Sequence, residues 1–138
     1  DDAYLVDLPG YGYAGVPMEG RPHWDTLVGE YVFHRDALAG LIVVMDARHP
    51  LAAQDRRLPD WLLPSGRNVH VLLSKSDKLS AQAAHRTLAS VRKDLAAVYP
   101  GATVQLFSSL KRTGTAEAQA VIEAWATARK QKAPAKGE

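Results

Sequence analysis

The fold of this chain is decided by V-H-V-L-L-S-K-S-D-K-L-S, residues Val69 to Ser80. The apolar run Val69 to Leu73 predicts a short buried strand. The strand runs into a polar turn, Ser74 to Asp77, and Ser80 is placed to cap a following helix. A strand, a polar turn and a helix in this order are typical of open α/β sheets, which bind ligands beyond the carboxyl ends of their strands.

Asp77 gives this turn its chemistry. A carboxylate accepts two parallel hydrogen bonds, and the matching donor pair on a nucleobase is the N1–H and 2-amino group of guanine. Adenine lacks this pair, so it would leave the carboxylate unpaired, at a large cost in binding. Lys75 has a long apolar stem that can lie along one face of the base. Ser74 to Asp77 also fits a solvated turn before a helix cap, so the motif needs support from the rest of the chain.

Four apolar runs alternate with helical patterns along the chain. This order predicts parallel βαβ units, and therefore a mostly parallel sheet with helices on both faces. The predicted strands are Tyr4 to Asp7, Leu41 to Asp46, Val69 to Ser74 and Thr103 to Ser108. Each ends in a polar residue, so we expect the four polar ends to line one edge of the sheet.

The connections between these strands carry apolar residues at helical spacing. They predict a helix from Pro22 to Ala39 that Gly40 stops, a helix over Leu51 to Leu63 that Pro59 kinks, and helices Ala81 to Tyr99 and Ala116 to Arg129. The expected buried positions of the last two helices are Ala84, Leu88, Val91, Leu95, Val98, Val121, Ile122 and Trp125. Residues 1–129 then form one domain, and residues 130–138 a basic disordered tail.

The composition sets wider limits. A chain of 138 residues with 46% hydrophobic content builds one core rather than two. It has no cysteine, which excludes disulfides and thiolate metal sites, and no apolar run long enough to cross a membrane. The five histidines are scattered without the spacing of metal ligands. A formal net charge of +2 permits a nucleic-acid partner without requiring one.

Two further loops follow predicted strands. The first reads D-L-P-G, Asp7 to Gly10. A carboxylate at a strand end can hold Mg²⁺ through water, and a glycine three residues later lets a backbone N–H approach a γ-phosphate. Alone, this loop also fits a strand followed by a Pro-Gly turn. The second loop, Phe107 to Gly114, offers backbone N–H groups that can donate to guanine O6.

Four segments together resemble the EngB (YsxC/YihA) family of GTPases. They are Asp7 to Ala14 (D-L-P-G-Y-G-Y-A), Met45 to Leu51 (M-D-A-R-H-P-L), Leu72 to Leu79 (L-L-S-K-S-D-K-L) and Phe107 to Lys111 (F-S-S-L-K). The resemblance extends from residue 1 to about Trp125. It implies a Ras-like P-loop GTPase fold and a monomeric, cytoplasmic switch protein that acts in assembly of the large ribosomal subunit, with links to cell division and septation.

The resemblance also implies roles for single residues. Asp7, Leu8, Pro9 and Gly10 would contact the γ-phosphate, with Asp7 linked to Mg²⁺ through water. Ser74, Lys75, Ser76 and Asp77 would hold the base of GTP or GDP, and Phe107, Ser108 and Ser109 would close over it. Tyr11 stands where many GTPases have a water-orienting glutamine, so any hydrolysis of GTP should be slow.

One departure from the family pattern is large. No G-x-x-x-x-G-K-[ST] motif occurs, so by resemblance the N-terminal strand, P-loop and helix, the following strand and the switch-I threonine are missing. The sequence therefore predicts the C-terminal part of a GTPase domain, with weak nucleotide affinity on its own. The alternative is a non-catalytic GTPase-like module that binds RNA or protein through basic residues such as Arg48, Arg56, Arg57 and Arg67.

Overall fold

A computed structural model describes residues 4–6, 37–51 and 63–132 of the chain, with side chains up to residue 128. Within these ranges the strands are β1 (Gly40–Asp46), β2 (Asn68–Ser74) and β3 (Thr103–Leu106). The α-helices are α1 (Ala81–Val98) and α2 (Thr115–Lys132), and short 3-10 helices span Leu63–Ser65 and Ser76–Lys78. From β2 onward, the order of strands and helices is that of the predicted βαβ units.

The three strands form one parallel sheet in the order β1-β2-β3. Asp46 at the end of β1 lies opposite Ser74 at the end of β2, and Leu73 lies opposite Leu106. All three strands therefore finish at one edge of the sheet, and β1 and β2 end in the predicted polar residues. Strand β3 ends at Leu106 rather than at the predicted Ser108, which lies in the loop that follows.

Strand β2 is covered on both faces. Its residues 69–73 are consecutive, and all of them are buried. Side chains of a strand alternate between the two faces, so five buried neighbours mean that both faces lie in the protein interior. Val71 and Leu73 of β2 anchor a core that also contains Met45, Val91 and Val104.

Helix α1 follows the sequence prediction closely. The Ser80 side chain accepts a hydrogen bond from the Ala83 N–H at 3.1 Å and so caps the helix. Val98, a predicted core position, is instead 47% exposed. Tyr99 takes its place, because the helix ends at Val98 and the phenol donates a hydrogen bond to the Arg67 carbonyl at 2.8 Å.

Gly40 does not stop a helix, in contrast to the sequence prediction; it begins β1. A Cβ at this position would lie 2.6 Å from the ring of Trp125, so glycine is required because the indole packs against the strand backbone. Residues 37–39, predicted to be helical, are a turn and irregular backbone. These residues lie next to β1, where the backbone must extend to pair with β2.

Two other boundaries differ from the predictions. Helix α2 continues to Lys132, beyond its predicted end at Arg129 and into the first residues of the segment predicted as a tail. Gln131 and the lysines beside it are good helix formers, so the helix has no reason to end at residue 129. The predicted strand from Tyr4 is not formed over residues 4–6, which have irregular backbone and exposed side chains. A short apolar run does not by itself distinguish a strand from other backbone conformations.

Several predictions fall outside the described residues. They are the D-L-P-G loop, Asp7 to Gly10, most of the helix from Pro22, and all but the ends of the kinked helix between Leu51 and Leu63. No helix in the described part of the chain combines the length and apolar content that a membrane span needs.

Candidate base-recognition site at the carboxyl edge of the sheet

The turn after β2 and the loop after β3 are joined by backbone hydrogen bonds. Phe107 donates its N–H to the Leu73 carbonyl at 2.9 Å, and Ser76 donates its N–H to the Phe107 carbonyl at 3.1 Å. Ser76 is buried between them. The two segments that the sequence assigned to base recognition are therefore one structural unit, although 31 residues separate Ser76 from Phe107.

Lys75 takes a backbone conformation that is uncommon for a residue with a side chain. Its φ of 57° and ψ of 33° are left-handed, which costs roughly 1–2 kcal/mol for an L-residue. The neighbouring bonds hold it there, because the Ser74 hydroxyl donates to the Met45 carbonyl at 3.1 Å and Lys78 donates its N–H to the Lys75 carbonyl at 3.0 Å. The Lys75 side chain is 60% exposed, so its stem is available to a ligand. Strain kept by surrounding bonds is common at ligand sites.

Asp77 is oriented by Ser108. The Ser108 hydroxyl donates to Asp77 Oδ1 at 2.7 Å and accepts a hydrogen bond from the Lys111 N–H at 3.1 Å. Ser108 is fully buried, whereas Asp77 is only partly covered. The hydrogen bond from Ser108 is the main reason why the pKa of Asp77 lies below its usual range, with smaller contributions from Lys78 and Lys111. The carboxylate is therefore ionised, fixed and accessible, as an acceptor for two donors of a base must be.

The loop after β3 closes on itself around Ser108. Ser108 and Thr113 exchange backbone hydrogen bonds, each at 3.0 Å, so residues 109–112 form its tip. Ser109, Leu110, Lys111 and Arg112 are all exposed. The structure thus separates the two serines of the motif, because Ser108 turns inward onto Asp77 and Ser109 faces outward.

A second carboxylate lies at the same edge. Asp46, the last residue of β1, accepts hydrogen bonds from Arg48 Nε at 3.0 Å, Arg48 Nη2 at 2.8 Å and the Arg48 N–H at 2.9 Å. These bonds hold the pKa of Asp46 far below its usual range. The Lys75 ammonium group lies 3.8 Å from the Asp46 carboxylate.

The charged cluster of Asp46, Arg48 and Lys75 is not predicted by the sequence analysis. There Arg48 is offered as a basic residue for binding RNA or protein, but in the structure the guanidinium is paired with Asp46. The available signal was the D-x-R spacing directly after a strand, since two residues suffice to fold an arginine back onto the carboxylate. Arg67 is likewise engaged, because its Nη1 donates to the Leu38 carbonyl at 3.0 Å.

The described residues at this edge of the sheet do not form a metal-binding cluster. Within the described ranges, no three His, Cys, Asp or Glu residues come together as a metal-binding group. The residue assigned to Mg²⁺ by resemblance, Asp7, lies outside those ranges. What the described residues offer at this edge is the partly exposed carboxylate of Asp77 and the exposed side chain of Lys75.

The comparisons with known proteins agree on one family. The chain is 52% identical over 125 residues to the "Probable GTP-binding protein EngB" of Methylobacillus flagellatus, covering 91% of this chain and 60% of that protein. It is also 52% identical over 123 residues to the protein of the same name from Aromatoleum aromaticum, covering 89% and 57%. The chain thus spans about 60% of the length of such relatives. No family model matches it.

A solved structure supports the fold. The apo crystal structure of translation elongation factor SelB from Methanococcus maripaludis aligns with 94% of this chain and 25% of its own length, with a TM-score of 0.68 and 20% identity. At that identity the likeness concerns the fold alone, which is the α/β fold of a Ras-like P-loop GTPase. The family is shown by the curated relatives: at 52% identity over 91% of its length, this chain belongs to the EngB family.

Proposed function

We propose that this chain forms the base-recognition part of a GTP-binding protein, in which Asp77 binds the N1–H and 2-amino group of guanine. The observation that carries the proposal is the hydrogen bond of 2.7 Å from the buried Ser108 hydroxyl to the partly exposed Asp77 carboxylate. The name given to the curated relatives, a probable GTP-binding protein, supports it.

The other residues of the edge have distinct roles in this proposal. The exposed stem of Lys75 lies along one face of the base, and the left-handed backbone at this residue presents it. Ser74 and Ser76 fix the turn through their bonds to Met45 and Phe107. Ser109 belongs to the exposed loop tip, whose backbone N–H groups donate to guanine O6.

Phosphate and metal binding fall to the D-L-P-G loop. In the proposal, the Asp7 carboxylate holds Mg²⁺ through water, and Leu8, Pro9 and Gly10 approach the γ-phosphate. Mg²⁺ would neutralise phosphate charge at that end of the nucleotide. The support for these roles is the sequence resemblance, together with the pattern in which this loop follows an apolar run as the base-binding turn follows β2.

We extend the proposal to the cellular role that the resemblance implies. A GTP-dependent conformational change would alter affinity for the large ribosomal subunit or its precursor in the cytoplasm, with an effect on cell division as a consequence. The protein would act as a monomer. Co-sedimentation with large subunits in the presence of GDP and of a non-hydrolysable GTP analogue tests this role, and equal sedimentation in both states would contradict a switch.

The nucleotide test uses the chain itself and a hybrid. In the hybrid, the part of the Methylobacillus flagellatus protein outside the match is joined to this chain, so that its length equals that of the relatives. Calorimetry with Mg²⁺ and GDP, GTP, ATP or xanthosine diphosphate is carried out on both proteins and on their Asp77→Asn variants. Asp77→Ser serves as a control that removes the carboxylate without supplying a matched donor.

The proposal predicts that the unmodified hybrid binds GDP and GTP and excludes ATP. In the Asp77→Asn variant, the new side-chain amide would donate to the O2 of xanthine but would face the 2-amino group of guanine with another donor. This variant should therefore prefer xanthosine diphosphate to GDP, whereas Asp77→Ser should bind both poorly. Equal binding of GTP and ATP by the unmodified hybrid would refute base recognition and favour a binding module for RNA or protein.

A further inference from the structure

Two polar side chains of the sheet are buried next to the loop that runs from Leu106 to Gly114, here called the recognition loop. His70 of β2 is 2% exposed and Gln105 of β3 is 1% exposed. His70 Nε2 lies 2.7 Å from Gln105 Oε1, and His70 Nδ1 lies 2.5 Å from the Thr103 hydroxyl. Every polar atom of the two side chains is therefore engaged.

The contacts of Gln105 define the direction of each hydrogen bond. Its Nε2 lies 3.1 Å from the Leu106 carbonyl and 2.8 Å from the Gly114 carbonyl, and only the NH₂ group can donate to two carbonyls. The Oε1 atom therefore faces His70, and His70 Nε2 must carry the hydrogen that it accepts. His70 thus fixes the Gln105 amide, and the amide binds both ends of the loop that runs from Leu106 to Gly114.

The loop packs closely against the Gln105 amide at Gly114. Its φ of +80° is left-handed, and a Cβ there would lie 2.5 Å from Gln105 Nε2 and collide with the Leu106 carbonyl. A side chain at this position would force the loop off the amide. The loop thus returns to the sheet at a point that Gln105 determines.

Stability alone does not require this pair. A buried hydrogen-bonded pair can often be replaced by apolar groups of similar shape with little change in stability, whereas the loss of one partner is costly. An apolar pair would fill the same space between β2 and β3. It would leave the carbonyls of Leu106 and Gly114 without the donor that holds them.

We infer that His70 and Gln105 are positioning residues that set guanine specificity by fixing the recognition loop. The inference rests on the proposed function, because it assigns a role within the same base site. The loop carries Ser108, which orients Asp77, and the backbone N–H groups proposed for O6. A change at either buried residue therefore alters base discrimination without touching the base.

The test compares four variants of the hybrid with the unmodified hybrid: His70→Leu, Gln105→Met, the double variant, and Val91→Ala as a control. Val91 is 2% exposed and lies in α1 within the apolar core, so its truncation weakens the core without removing a hydrogen bond of His70 or Gln105. Three quantities are measured: the thermal midpoint, the ratio of ADP to GDP dissociation constants, and hydrogen exchange of the Ser108 and Thr113 amides.

The inference predicts that Gln105→Met lowers the ratio of the ADP to the GDP dissociation constant about tenfold. This change corresponds to the loss of one well-aligned hydrogen bond to guanine. The inference also predicts faster exchange of the two amides. The double variant should melt closer to the unmodified hybrid than either single variant does, but its base discrimination should stay low. Val91→Ala should lower the thermal midpoint and leave the ratio unchanged.

A purely structural role would give another pattern. Base discrimination would then be unchanged in the double variant, or would follow the thermal midpoint in all four variants, and either result would overturn the inference. An unmodified hybrid that binds GDP and ADP equally would instead refute the proposed function. The amide exchange would still report whether Gln105 holds the loop.

Discussion

Replacement of Ser108 by alanine tests the central contact of the site. The variant removes the donor at 2.7 Å from Asp77 Oδ1 and the acceptor for the Lys111 N–H. The variant should lose stability at neutral pH and less in acid, because the folded protein no longer donates a hydrogen bond to the ionised Asp77 carboxylate. The variant should also change the pKa of Asp77, since the hydrogen bond from Ser108 is the main cause of its lowered value.

Two consequences follow for Asp77. Its pKa should rise toward the usual aspartate range, because the ionised carboxylate loses its strongest donor. Guanine binding needs that ionised form, so the pH at which GDP affinity falls should also move upward. At neutral pH the carboxylate is still charged but no longer held in one orientation, and we expect GDP affinity to fall about tenfold, as for the loss of one hydrogen bond to a charged group.

The assay is an NMR titration of the Asp77 side-chain carboxyl carbon, combined with GDP calorimetry on the hybrid. Ser109→Ala is the matched control, because Ser109 is the exposed neighbour of the same residue type. The control should change neither quantity appreciably. An unchanged Asp77 pKa in Ser108→Ala would refute the assigned hydrogen bond, and equal GDP losses in both variants would refute the separation of the two serines.

Three other substitutions test contacts around the site and in the sheet. Gly114→Ala should destabilise the protein by about 2–4 kcal/mol in urea unfolding, because the new side chain adds left-handed strain and a clash. The control Gly101→Ala, at φ +93°, should cost only about 1 kcal/mol because nothing lies near its Cβ. Equal costs for the two variants would contradict the close contact of Gly114 with Gln105. Asp46→Asn should lower the free energy of unfolding at neutral pH, and this difference from the unmodified protein should disappear in strong acid. The reason is that the lowered pKa of Asp46 contributes stability that is lost as the pH falls through that pKa. A stability difference that stays constant from neutral pH into strong acid would contradict the ion pair. Gly40→Ala should shift the fluorescence of Trp125 and lower the thermal midpoint, since the new Cβ would meet the indole.

Local pattern was enough to predict β2, its turn and α1. Their signals lie within a few residues of one another: five apolar residues, a polar turn, a capping serine and a helical stripe. Parallel topology was enough to bring Asp77 and Ser108 to one edge. The family resemblance then indicated which ligand such an edge recognises.

Contacts between distant residues were beyond sequence reasoning. Gly40 looked like a helix stop because the ring that demands a glycine belongs to Trp125, 85 residues later. His70 looked like a scattered histidine because its partner, Gln105, lies on the next strand. The strand from Tyr4 was predicted from its apolar residues alone, and a short apolar run does not by itself distinguish a strand from other backbone conformations.

The geometry of the site depends on a continuous series of contacts that begins and ends at β2, and not on the S-K-S-D motif alone. Asp77 is oriented by Ser108, the loop of Ser108 ends at Gly114, and Gly114 is held by Gln105. Gln105 is fixed by His70, which lies on the same strand that leads into the Asp77 turn. Because these contacts close on β2, a substitution in the sheet interior can change base recognition while every residue of the S-K-S-D motif is intact. Two chains with the same motif need not discriminate equally between guanine and adenine.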